Sequence, residues 1–99
     1  MRYSIKPKAS QSIWSFYRNV ARKYKHTYSV EDRIRNVQDA VRAIYLIEQT
    51  LLRRRPILSR WQNQGFYMAH AGQWYYAYTI NGDTITIEDA CHEQNMHED

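Results

Sequence analysis

Asn81-Gly82 lies between two stretches in which apolar and polar residues alternate, Trp74 to Ile80 and Asp83 to Ala90. Both residues tolerate the positive φ that a two-residue type I′ turn demands, so the pair predicts a β-hairpin. With these two at the tip, Ile80 faces Asp83, Tyr78 faces Ile85, Tyr76 faces Ile87 and Trp74 faces Asp89. That set is largely apolar and is expected to meet the core. The two-residue period turns Tyr75, Ala77 and Thr79 to the other side, opposite Glu88, Thr86 and Thr84. Ala90 and His92 follow on that second face, provided the strand contains no bulge. The second face is the expected functional one.

Taken in order, the chain opens with Tyr3, Ile5 and Pro7 alternating with Ser4, Lys6 and Lys8, which suits a short strand with the proline at its end or edge. From Ser12 onward, Ile13, Phe16, Tyr17, Val20, Ala21 and Tyr24 fall at helical spacing, with Ser10 or Ser12 as N-cap. Ser29 with Asp32 three residues later has the form of a capping box. Ile34, Val37, Val41, Ile44 and Leu51 then give a second helix its apolar stripe, extending to about Arg54 before Pro56 stops it. Residues 57–62 are expected to be extended, Asn63-Gln64-Gly65 to turn, and Phe66 to Ala71 to form a strand that Gly72 connects to Trp74. Strands joined by such short turns are antiparallel. The expected fold is therefore α+β in the order β-α-α-β-β-β, a small twisted antiparallel sheet with a two-helix hairpin packed on one face.

A chain of 99 residues, 43% of them hydrophobic, can build one core, so a single domain over 1–99 is expected, with 93–99 as a flexible acidic tail. Cys91 is the only cysteine, which excludes an internal disulfide and a cysteine-rich zinc site and fits a reducing compartment. It reads as a small, partly buried residue. No stretch approaches the ~18 consecutive apolar residues of a membrane-spanning helix, and residues 1–5 lack the pattern of a signal peptide, so a cytoplasmic protein without a membrane partner is expected. The net charge of +4 favours nucleic acid or an acidic protein as partner. All 14 Lys and Arg residues fall within 1–60, whereas 83–99 carries acidic residues and two histidines. The run Arg53, Arg54 and Arg55 can complement the dipole of the second helix or contact a polyanion.

The element order, the basic end of the second helix before Pro56, and three stretches together carry a family resemblance. These are Gly65-Phe66-Tyr67-Met68, the strand from Gly72 to Tyr78, and the ending Ile85-Thr86-Ile87-Glu88-Asp89-Ala90-Cys91-His92. In this layout, which covers almost the whole chain, the sequence resembles the RelE/ParE superfamily of bacterial type II toxin–antitoxin toxins. The resemblance implies a toxin neutralised by a cognate antitoxin protein. Its action would be cleavage of mRNA, on or off the ribosome, or, as in the ParE branch, inhibition of DNA gyrase by protein binding without nuclease activity. Many nucleases of the family carry an arginine on each central strand and a Tyr or His near the C-terminus. His92 fits the last position, but the two strands here contain no arginine.

Metal-independent RNA cleavage needs a base for the 2′-hydroxyl, cations for the phosphorane-like charge and an acid for the leaving oxygen. His92 is the expected acid or base, Glu88 its base or orienting partner, and Tyr75 lies across from Glu88 on the same expected face. Arg53, Arg54, Arg55, Arg60, Lys6 and Lys8 are the candidate phosphate contacts. Tyr67, Tyr75 and Trp61 are candidate stacking platforms for single-stranded RNA. His70, in mid-strand, reads first as a packing residue. His92 and His97 are five apart, which misses the helical spacing of a zinc site, so no metal and no cofactor are expected.

Overall fold

The computed structural model describes residues 2–47 and 55–97. Strand β1 (Arg2–Ile5) leads into helix α1 (Pro7–Lys23), and helix α2 (Val30–Ile44) returns along it. A short helix α3 (Ser59–Gln62) precedes strands β2 (Tyr67–Ala71), β3 (Trp74–Asn81) and β4 (Thr84–His92). The sheet order is β1-β4-β3-β2. The fold is α+β, as expected, but the sheet is mixed: β2, β3 and β4 form the antiparallel meander, while β1 runs parallel to β4.

Local chemistry accounts for the helix boundaries. Pro7, at the first position of α1, needs no hydrogen bond from its nitrogen, so the helix starts there, earlier than the serines suggested, and Lys6 occupies the N-cap without a side-chain cap. The capping box of α2 is present in both directions: Asp32 N–H donates to Ser29 Oγ at 3.1 Å, and Ser29 N–H donates to Asp32 Oδ2 at 3.0 Å. The bond from Ser29 N–H to its carboxylate is the main reason the Asp32 carboxyl lies below its ordinary pKa. Helix α2 ends at Ile44, short of the expected Arg54, and Arg53 and Arg54 lie outside the described residues. Residues 59–62, expected to be extended, form α3 instead because Trp61 packs beneath the sheet.

Both helices lie on the Ile85 and Ile87 face. Ala9, Ile13 and Tyr17 of α1 and Val37, Ala40 and Ile44 of α2 pack with Trp74, Tyr76, Tyr78, Ile85 and Ile87 in the main core. Burial of Tyr76, whose hydroxyl donates to the Ala40 carbonyl, raises its phenol pKa strongly. The opposite face is not open: Leu58 and Trp61 cover Met68, Ala77 and Cys91 in a second, smaller core. No helix among the described residues is long and apolar enough to cross a membrane.

The hairpin is present, but its tip is displaced by one residue. Asn81 pairs with Thr84, so Gly82 and Asp83 form the loop, with Ile80 opposite Ile85 and Tyr78 opposite Ile87. Gly82 has φ of +61° and no non-glycine among the described residues has positive φ, which is the pattern of a turn with glycine at its first central position, type II′, rather than type I′. The faces are unaffected as far as Ile87. There Tyr78 pairs with Ile87 while Ala77 pairs with Asp89, leaving Glu88 as the extra residue of a β-bulge. Beyond it Tyr76 pairs with Ala90, Tyr75 with Cys91 and Trp74 with His92, so the alternation inverts for the rest of β4.

Ile87 is fully buried at the centre of this arrangement. Ile87→Asp would place an unpaired carboxylate there and is expected to destabilise the fold by about 3 kcal/mol or more. Chemical denaturation measures the effect, and an unchanged midpoint would contradict the face assignment.

Candidate functional site

The bulge separates the residues expected to act together. Glu88 remains on the second face, where its Oε2 accepts from Thr79 Oγ1 at 2.8 Å and its Oε1 lies 3.1 Å from Lys6 Nζ. Tyr75, paired with Cys91 rather than Glu88, stacks on His70 with ring centroids 4.2 Å apart. His92 is turned to the helix face. Its ring stacks on Phe16 at 4.0 Å and meets the Trp74 ring edge-on at 5.2 Å. The expected trio of His92, Glu88 and Tyr75 is therefore not assembled on one face.

The expected RNA contacts are also dispersed. Lys6 is paired with Glu88. Arg60 lies over the Trp61 ring at 5.8 Å, with its Nε 4.0 Å from Asp89 Oδ2. Trp61 is fully buried and donates its indole N–H to Asp89 Oδ2 at 2.9 Å, so its ring is part of the second core and not an exposed stacking platform. Tyr67 is half-buried against the main core beside Tyr78. Arg55 is exposed. Asp89, expected on the core face opposite Trp74, is a buried carboxylate that also accepts from Ser12 Oγ at 3.2 Å and from Ala90 N–H at 2.8 Å, with Lys8 Nζ 3.8 Å away.

The structure assembles a different constellation. His92 lies on the wall of a groove of about 690 Å³ between α1 and the C-terminal turn, lined by Phe16, Asn19, Lys23, Gln73, Glu93, Gln94 and Asn95 among others. Residues 93–95, expected within a flexible tail, form a 3-10 turn fixed at its start by Gln94 N–H donating to His92 Nδ1 at 3.2 Å. Glu93 N–H donates to the Gln73 carbonyl at 2.9 Å, and Met96 packs against the second core. Nothing in the sequence pattern marked this groove, because it depends on the inverted register of the last four residues of β4.

The electrostatics define what His92 can do. Burial pulls its pKa below the ordinary 6.5, with the Glu93 carboxylate opposing the shift in part, so the ring is neutral at pH 7. Because Nδ1 accepts the Gln94 N–H, the proton of the neutral ring resides on Nε2. Nε2 has no hydrogen-bond partner among the described residues. The groove thus offers an unused neutral N–H donor, an ammonium from Lys23, a carboxylate from Glu93 and four carboxamides. On the second face, His70 Nε2 lies 3.8 Å from Glu93 Oε2. Among the described residues no group of three or more His, Cys, Asp or Glu could hold a metal ion.

The lowered pKa fixes the sign of a pH effect. Between the folded and unfolded pKa values the unfolded chain binds more protons, so the stability contributed by neutral His92 is complete above about pH 6.5 and is lost as pH falls through the folded value. NMR titration is expected to give His92 a midpoint below 6.5, and His92→Phe to remove this part of the acid-side fall in thermal midpoint. A midpoint at or above 6.5 would contradict the burial. The chain matches no protein-family model, and no curated protein is detectably similar to it.

Proposed function

We propose that this protein is the toxin of a toxin–antitoxin pair and acts as a metal-independent endoribonuclease, with its reaction centre in the His92 groove. The observation that carries the reading is the unused Nε2–H of a neutral imidazole on a groove shared with Lys23 and Glu93. Glu93 takes the proton of the RNA 2′-hydroxyl as general base, the 2′-oxygen bonds to phosphorus as the P–O5′ bond breaks to leave a 2′,3′-cyclic phosphate, and the departing 5′-oxygen takes its proton from water at the groove mouth. Lys23 and the His92 N–H stabilise the charge that builds on the phosphoryl oxygens, a role suited to a preorganised donor and not requiring an ionised ring. Asn19, Gln73 and Asn95 offer paired donors and acceptors of the kind that read unstacked bases. His92 thus changes role relative to the sequence expectation, from proton shuttle to hydrogen-bond donor, and Glu93 replaces Glu88.

A second reading has its own support. The central strands carry no arginine, and Arg18, Arg22 and Lys23 stand exposed along α1, which suits a toxin that binds a protein target such as DNA gyrase without cutting RNA.

Purified protein incubated with mRNA, with and without ribosomes, tests the first reading against the second. Glu93→Gln is expected to lower the cleavage rate by roughly 100-fold or more, and His92→Phe by a similar factor, with the fold retained. Lys23→Gln is expected to weaken RNA binding and flatten its salt dependence. Intact RNA in all conditions, together with loss of gyrase supercoiling, would replace this reading with the second.

A further inference from the structure

A smaller pocket, of about 320 Å³, lies where Tyr17, Asn36 and Asp39 of the two long helices meet Gly72, Gln73 and Trp74 at the β2–β3 turn. Tyr17 and Gln73 also line the His92 groove, so the two spaces adjoin at those residues. We propose that this pocket takes a guanine base of the RNA bound in the His92 groove and thereby sets where the RNA is cut. The role in cleavage rests on the reading of the His92 groove as the reaction centre, whereas recognition of the base depends on the pocket's own groups.

The pocket presents acceptors beside an unused buried donor. Asp39 supplies a carboxylate, and its pair with Arg42, at 3.7 Å between exposed side chains, is too long for a hydrogen bond and weak in water. Asn36 donates an amide N–H to the Tyr28 hydroxyl, which leaves its carbonyl oxygen as an acceptor. Tyr17, 8% exposed, accepts the Trp74 indole N–H at 3.1 Å and donates its own O–H to no group among the described residues. Burial raises the Tyr17 phenol pKa, with the Trp74 bond opposing in part, so that O–H is intact at neutral pH. A buried donor in this state favours a ligand that brings it an acceptor.

This combination selects guanine. Guanine is the one RNA base with adjacent N–H donors, N1–H and N2–H, that a carboxylate accepts together, and its O6 on the same edge is an acceptor for a hydroxyl. Adenine and cytosine place a ring-nitrogen lone pair beside the amino group, and uracil flanks its N–H with carbonyls, so each of them turns a lone pair toward Asp39. A guanidinium or ammonium group of a protein would also suit the carboxylate. It has no acceptor for the Tyr17 O–H, however, and adds positive charge beside Arg42.

Short 2′-O-methyl RNAs, whose blocked 2′-oxygen prevents cleavage, test recognition apart from catalysis. An oligouridine with one guanosine is expected to bind roughly tenfold or more tighter than the same oligonucleotide with adenosine, cytidine or uridine at that place, and to shift the Trp74 indole N–H resonance. Inosine, which lacks the N2 amino group, is expected to lose most of that advantage. Asp39→Asn is expected to abolish it without changing the thermal midpoint, because residue 39 is exposed. With cleavable RNA of the same sequences, cuts are expected beside guanosine in the wild type and without that preference in Asp39→Asn. Equal binding of all the bases, or a guanine preference that Asp39→Asn leaves intact, would overturn the proposal. Guanosine monophosphate that binds as tightly as the oligonucleotide would overturn it in favour of a free nucleotide. The two readings fail separately: guanine-selective binding of RNA that is never cut removes the reaction centre and keeps the base pocket, and cutting without base preference does the reverse.

Discussion

A carboxylate at position 89 on the face that holds Trp74, Tyr76 and Ile87 would be buried among aromatic rings without a donor, at a cost of several kcal/mol. The extra residue at Glu88 removes that conflict. It places Glu88 and Asp89 on the same side of β4, where Trp61, Ser12 and the Ala90 backbone N–H supply donors to Asp89 and Thr79 supplies one to Glu88. Strand β1 ends beside Ile87, and α1 starts there, so the chain passes Asp89 at the point where the β1–β4 pairing stops. One carboxylate therefore ties β4, α1 and α3 together.

This clasp explains why the sheet is covered on both sides. The main core forms beneath the two long helices, and α3, four residues long, could not hold its place through backbone bonds alone. It is held by insertion of Leu58 and Trp61 against Met68, Ala77 and Cys91 and by the indole N–H on Asp89. Lys8 and Arg60, at 3.8 and 4.0 Å from Asp89, are partly exposed and add little beside these short hydrogen bonds.

The same bulge creates the candidate site. By inverting the last four residues of β4 it delivers His92 beneath Phe16 and leaves Nδ1 in position to cap the C-terminal turn, which in turn brings Glu93, Gln94 and Asn95 to the groove. The constraint that protects a structural carboxylate thus also selects which titratable groups share a surface. Glu88 and Tyr75 stay with the second core, and His92 joins the residues of α1.

The sequence by itself determined the strands, the two long helices and the core face as far as Ile87. The period-two runs on either side of Asn81-Gly82 as far as Ile87, the helical spacing from Ile13 to Tyr24, the Ser29-Asp32 box and the Gly72 turn depend on neighbours within a few residues, and these appear in the structure. What needed the tertiary structure were choices between locally equivalent options. Asn-Gly and Gly-Asp could each form the tip, and only the ladder decided between them. Parallel pairing of β1 with β4, the α3 helix and the bulge depend on partners far away in sequence, such as Ser12 and Trp61 for Asp89. Because a single extra residue inverts every side chain beyond it, the composition of the candidate site followed from that distant contact, which local periodicity does not encode.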